Sequence, residues 1–497
     1  MTALDASSNL SSTSTSTHTK DSGNIVGLLA LWITTTDHKR IGRLFLRGGF
    51  VWLISVIGIG VVLGVERINP TSNIFPANSV VQLFSFFRTG LSLGVLAPLF
   101  VGLSIALVPL QIGAQAISYA RLSLFGFYAW LIGSAIVVIS IIGNGGPSGG
   151  NAKMVDAYLF GVGLAIVGMI AAAISVITTI IGARSSGLAM SEIPVFTWSA
   201  LVGAAGIILT LPLHLGSVVY VAVDHHYGRL AFGGNYRIDK WIGDIFGQPQ
   251  TFIYVIPALG VLAEIISVSG PKRQVIQTGG FVGIGIMSTT LIGAVTRTQH
   301  LFESTGSLSD KLTSAISYAL FDVLPVFGVL IALFVSLLAL KTNSLRLNPA
   351  LVPSLLGVGL VFTGMLGYAV QMISSAELAG TVFEEGVFVY IGYGAVLVAI
   401  GAISHWCREL RGTSLPAGVI KGLGVAGFIA AVFASLPYYM AGFTNQAAKS
   451  VTDFENGGPH ALWNSLVGAG HVLMAVVVVY FVVVVLRPAR SVAATPS

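Results

Sequence analysis

A chain of 497 residues with 54% hydrophobic residues, 9% charged residues and mean hydropathy +0.87 falls outside the ordinary soluble classes, in which about a quarter of residues are charged. The formal net charge of +6 does not point to nucleic acid, because the Lys and Arg residues are spread along the chain between apolar runs. A single cysteine, Cys407, excludes disulfides within the chain and thiolate metal clusters.

Residues 1–24, rich in Ser and Thr between Ser7 and Thr19 and lacking an apolar core, read as a disordered cytoplasmic tail and not as a signal peptide. Apolar runs long enough to cross a bilayer, about 20 residues each, then follow roughly at 46–65, 88–108, 124–143, 157–182, 195–222, 250–269, 276–296, 312–340, 351–374, 386–406, 418–440 and 463–486. Each is predicted to be a helix, because a lipid-embedded segment must satisfy its own backbone hydrogen bonds. The membrane domain is placed at 25–488, followed by a cytoplasmic C-terminal tail at 489–497. The longest polar connection, about 224–250, is on the outer side.

Twelve spans put both termini on one face. With the N-terminus cytoplasmic, sixteen of the 25 Lys and Arg fall on the inner side and nine on the outer, as the positive-inside rule requires. The expectation is a multi-pass protein of the cell (inner or plasma) membrane with cytoplasmic termini. The 60 glycines suit close helix packing in lipid.

Several motifs recur in a fixed order. Thr35-Thr36-Asp37-His38-Lys39-Arg40-Ile41-Gly42 precedes the first run, and Pro109-Leu110-Gln111-Ile112-Gly113-Ala114 with Arg121-Leu122 follows the second. Then come Ile177-Thr178-Thr179-Ile180-Ile181, Pro194-Val195-Phe196-Thr197-Trp198-Ser199, Leu211-Pro212, Phe246-Gly247-Gln248-Pro249, Ile256-Pro257, Gly394-Ala395 and His405-Trp406. In this order and spacing the chain resembles the large subunit of the haem-copper oxidases. The resemblance implies an all-α integral-membrane fold, a twelve-transmembrane-helix bundle of the haem-copper oxidase subunit I type. It also implies six histidine ligands for two haems and one copper.

Those ligands are mostly missing from the corresponding positions. Where the family carries Met-His-Gly-Thr on its second helix, ungapped counting back from Pro109 puts Phe87 at the histidine and Arg88 at the glycine. The His-x-His of the tenth helix corresponds to Val387-Phe388-Val389. Residues two apart on a helix point about 200° away from each other, so the loss of both removes an axial bond to each haem. The copper motif His-Pro-Glu-Val-Tyr reads Gln248-Pro249-Gln250-Thr251-Phe252, and the His-His pair reads Gln299-His300. A carboxamide is a poor copper ligand beside imidazole. Gln250 replaces a titratable glutamate, Val329 the proton-channel lysine, Ala379-Gly380 a magnesium-binding pair, and Asn445-Gln446 the arginines that meet haem propionates.

The nine histidines are too few in the right places to rebuild the centre elsewhere. Only His214, His300 and His471 fall within or beside the apolar runs. One haem held by a new pair, His214 and His471, stays open as an alternative. Asp322, inside the eighth run, is a costly charge in lipid and reads as a hydrogen-bonded or proton-carrying group. Asp224-His225-His226 reads as a solvated loop cluster or a metal site, while Glu264, Glu384 and Glu385 read as solvated at interfaces.

These residues lead to a catalytically silent relative, with no cofactor expected, serving as a structural or interaction subunit among other integral membrane subunits of a respiratory or other membrane complex. One alternative is a divergent electron-transfer subunit with a remnant haem or copper. Another is a proton or small-ligand conduit past Asp322, His300, Gln299 and Gln250.

Overall fold

The computed structural model describes residues 34–69, 74–228, 251–269, 273–296, 301–303, 306–342, 348–448, 450–451 and 459–487. Of two compact units, Met1–Thr35 is described only at its last two residues, and Thr36–Ser497 holds all the described helices. Gln248, Gln250, Gln299, His300 and both expected tails lie outside the described residues, as does the side chain of Phe252.

Eleven helices among the described residues are long and apolar enough to cross a membrane. They are α1 (His38–Glu66), α2 (Ser79–Gln111), α3 (Ala120–Ile142), α4 (Ala152–Gly182), α5 (Val195–His226), α7 (Ile276–Gly293), α8 (Leu308–Lys341), α9 (Leu351–Gln371), α10 (Phe383–His405), α11 (Ala417–Gly442) and α12 (Pro459–Leu486). A shorter apolar helix, α6 (Thr251–Ser269), lies at the position of the sixth apolar run. The helices overrun the apolar runs most at the start of α1 and α2. At α1 a cap sets the start: the Asp37 side chain accepts from the Lys39 N–H at 2.9 Å, well before the apolar stretch. A two-residue antiparallel pairing, Gly145–Gly146 with Gly149–Gly150, joins α3 to α4.

Neighbouring helices in sequence mostly pack together: α1 with α2, α3 with α4, α4 with α5, α5 with α6, α7 with α8, α9 with α10 and α11 with α12. The last helix also packs against the first. Two of the eleven spans are enclosed by the others, as is the shorter α6, buried from Ile253 to Ser267. The apolar window of α2 is 100% buried by other parts of the protein and that of α10 is 94% buried, while the other spans reach at most 61%. A helix that is apolar on every face belongs inside, and these two carry the motif positions Phe87, Val387 and Val389. Small residues let the backbones close up: a Cβ added at Gly394 of α10 would stand 2.6 Å from the Gly357 carbonyl oxygen of α9.

The second helix is not a uniform α-helix. Between Ala77–Thr89 and Ala97–Gln111 it widens to a π-helical stretch, Gly90–Leu96, one turn after Phe87. Trp52 of α1 fills the space that side chains at Gly90 and Gly94 would need. A second π-helical stretch, Ala319–Val323 in α8, carries Asp322, which is buried. Such widenings reorient side chains and occur often at functional sites.

Candidate functional site

The N-terminal halves of α2 and α10 face each other across a cavity of about 40 Å³. Phe84, Phe87 and Arg88 line it from α2, and Glu384, Glu385, Phe388 and Val389 from α10. Gly60 and Leu63 of α1, Tyr438 of α11 and His471 of α12 complete its wall with Ala448. Two of the three positions singled out for haem ligation, Phe87 and Val389, thus meet at one cavity. Val387 is buried but does not line it. The Phe87 ring packs edge-on against Phe388, centroids 6.5 Å apart, and against His471 at 5.7 Å.

Two cation–anion pairs stand at this cavity. Arg67, at the end of α1, has no solvent exposure, and both its Nη atoms reach the Glu385 carboxylate, at 2.5 and 2.8 Å. Its Nη1 also donates to the Tyr438 hydroxyl at 2.9 Å, its Nε donates to the Ser450 carbonyl at 2.9 Å, and its guanidinium lies 4.4 Å over the Phe84 ring. Burial is the largest single influence on the Arg67 charge and opposes it, but the Glu385 carboxylate and the Tyr438 hydroxyl together outweigh it and lift the guanidinium above its ordinary value. The second pair, Arg88 with Glu384 at 3.5 Å, keeps partial solvent contact. Interface solvation, the expectation for Glu384 and Glu385, is only part of their setting: both stay partly exposed, and the first turn of α10 also aims them at two arginines.

His471 is the imidazole of this wall. Its Nδ1 and the Tyr393 hydroxyl of α10 are 2.6 Å apart, and both side chains are buried. His214, its expected partner, is buried on α5 and is not part of the cavity wall. The structure therefore does not bring these two histidines together at the cavity.

The remaining positions are dispersed. Val329 is buried in α8, and Gln446 hydrogen-bonds Asn464 at 3.3 Å and His460 at 3.2 Å. Glu264 is buried and accepts from the Val195 N–H at 3.0 Å, so interface solvation does not describe it. His225 and His226 belong to the last turn of α5, not to a loop. Their Nδ1 atoms stand 2.6 and 3.0 Å from the two carboxylate oxygens of Asp156 on α4. Among the described residues no group of three or more His, Cys, Asp or Glu is arranged to hold a metal ion.

Arg67 is a site residue that sequence reasoning missed. Its signal was in the sequence: an arginine closes the first apolar run and two glutamates open the tenth, ends that share one side of the membrane when every run crosses it.

Residues 40–473 match the family described as Cytochrome C and Quinol oxidase polypeptide I. A "Putative cytochrome c oxidase subunit 1-beta" of Streptomyces avermitilis is 29% identical over 262 residues, 49% of this chain and 46% of the relative. "Quinol oxidase subunit 1" of Bacillus subtilis is 23% identical over 457 residues, covering 88% of this chain and 69% of the relative. "Probable cytochrome c oxidase subunit 1-alpha" of Streptomyces coelicolor is 26% identical over 424 residues, 80% of this chain and 70% of the relative. The match thus spans about half the length of the first of these relatives. Since the family match covers most of the chain, this multi-pass membrane protein belongs to the cytochrome c and quinol oxidase polypeptide I family.

Proposed function

We infer that this chain keeps the family's helical bundle without its haem and copper chemistry, and acts as a structural or interaction subunit of a membrane enzyme complex. The observation that carries this reading is the pocket between α2 and α10. A wall containing Phe87 and Val389 offers iron no lone pair at those positions, and the space of about 40 Å³ holds a few waters. Sites for small molecules and cofactors measure roughly 300–1,000 Å³. The residues present therefore do not fit a haem at this place. An empty haem-sized cavity would be costly, on the order of 24 cal/mol per Å³, and aromatic refilling by Phe87 and Phe388 is what relief of that cost requires.

The copper positions Gln248, Gln299 and His300 enter this reading from the sequence only. Its partners are other integral membrane subunits. Its orientation, both termini cytoplasmic, rests on the distribution of Lys and Arg.

A second reading, a path for protons or a small ligand, is favoured by Asp322, a carboxylate buried within α8 on a π-helical turn.

Haem and metal analysis of the purified chain tests the first reading. The expected result is no Soret band and no stoichiometric iron or copper. Stoichiometric haem would restore the electron-transfer alternative, and His471, the imidazole on the cavity wall, would be its first candidate ligand.

A further inference from the structure

Every atom of the Arg67 guanidinium that can donate has a partner converging on one place, and the arrangement is that of a receptor for a carboxylate. The two Nη atoms form a fork on the Glu385 oxygens, the Tyr438 hydroxyl stands beside the same Nη1, and Phe84 supplies an aromatic face. The cation side is held without help from Glu385. Ser450 accepts from Nε at 2.9 Å, and the Asn464 side chain donates to the Arg67 carbonyl at 3.2 Å. The Glu385 side chain, by contrast, is carried on the first turn of α10, contributed from a point 318 residues further along the chain. A buried arginine is destabilising when left unpaired, so an anion at this position contributes to stability.

We propose that Arg67, Tyr438, Phe84 and Ser450 form a carboxylate-binding site whose resident occupant is the Glu385 side chain, a ligand tethered to α10. The tether joins the outer ends of α1, α10 and α11 with no free anion required. When the carboxylate is removed and its volume with it, the site takes a small monocarboxylate from solution. This rests on the contacts around Arg67, and haem content, measured separately on the same preparation, reports on the functional reading above.

The test is Glu385→Ala in the full-length protein, purified in detergent and unfolded by heat in sodium acetate or in sodium chloride of equal concentration. In chloride the midpoint should fall by about 5 °C or more. Acetate should return most of that loss, saturably. It should act no differently from chloride on the wild type and on the double variant Arg67→Met with Glu385→Ala. Glu385→Gln keeps the bulk of the tether without its charge, so it should lose stability that acetate does not return. Acetate matching chloride on Glu385→Ala overturns the proposal, as does equal rescue of the double variant. Failure of Glu385→Ala to fold in either salt also overturns it, because Arg67 would then not be held without its carboxylate.

Discussion

Tyr393 of α10 and His471 of α12 share a hydrogen bond of 2.6 Å in the interior of the bundle, and the space beside them is held open by Gly60 of α1. A Cβ at Gly60 would stand 2.8 Å from the His471 Nδ1. With Phe87 of α2 edge-on to the same ring, four helices meet around one imidazole. Tyr393→Phe removes the hydroxyl and leaves a buried ring nitrogen without that partner, and should cost about 1 kcal/mol. Gly60→Ala presses on the same ring and should lower the thermal midpoint further. An unchanged midpoint in both variants would show that this contact does not organise the interior.

Restoring ligands should not restore chemistry. Val389→His places an imidazole at the cavity wall, and Val387→His buries one away from it. Overpacking at such positions costs about 1–3 kcal/mol. Combining Val389→His with Phe87→His should still give no Soret band on addition of haemin and no oxygen uptake above background. Oxygen uptake by Val387→His alone, or stoichiometric haem in the double variant, would mean that the pocket opens far more readily than its packing implies. Phe87→Leu, by contrast, should cost only about 1 kcal/mol and leave assembly intact.

The contact of α9 with α10 gives a paired test on one helix. A Cβ at Gly357 would meet the Gly394 carbonyl oxygen at 2.5 Å, while one at Gly359, two residues on, meets nothing within 4 Å. Gly357→Ala should force the helices apart and cost about 1–3 kcal/mol, whereas Gly359→Ala should stay within about 0.5 kcal/mol of wild type. Thermal unfolding of the two variants in detergent measures the difference. Equal midpoints would remove the close approach from the forces that place α10.

A structural subunit should be found with its partners. Purification in mild detergent followed by native mass spectrometry should recover the chain together with other integral membrane subunits. Substitutions inside the α2–α10 pocket should leave that association intact. Recovery of a lone monomer that carries full biological activity would end the scaffold reading and favour the path past Asp322.

Much of this protein was legible in the order of its residues. An apolar run in lipid has to close its own backbone hydrogen bonds, so helix positions follow from local composition, and the observed helices lie on the apolar runs, with α1 and α2 starting more than two turns earlier. Counting from Pro109 and reading the Val387–Val389 motif singled out Phe87 and Val389, which share one cavity wall, and Val387, which does not line it. What the tertiary structure alone decided was which distant groups share an end of the bundle. Arg67 and Glu385 are 318 residues apart, and Asp156 lies 69 residues from His225. Neither pair has a local pattern, since helix ends carry polar residues whether or not those residues face one another. The separation of His214 from the cavity that receives His471 was equally hidden. Hydropathy states that a side chain lies in the membrane, but its partner is set by which helices pack together, and that depends on small residues such as Gly357 and Gly394 allowing two backbones to close.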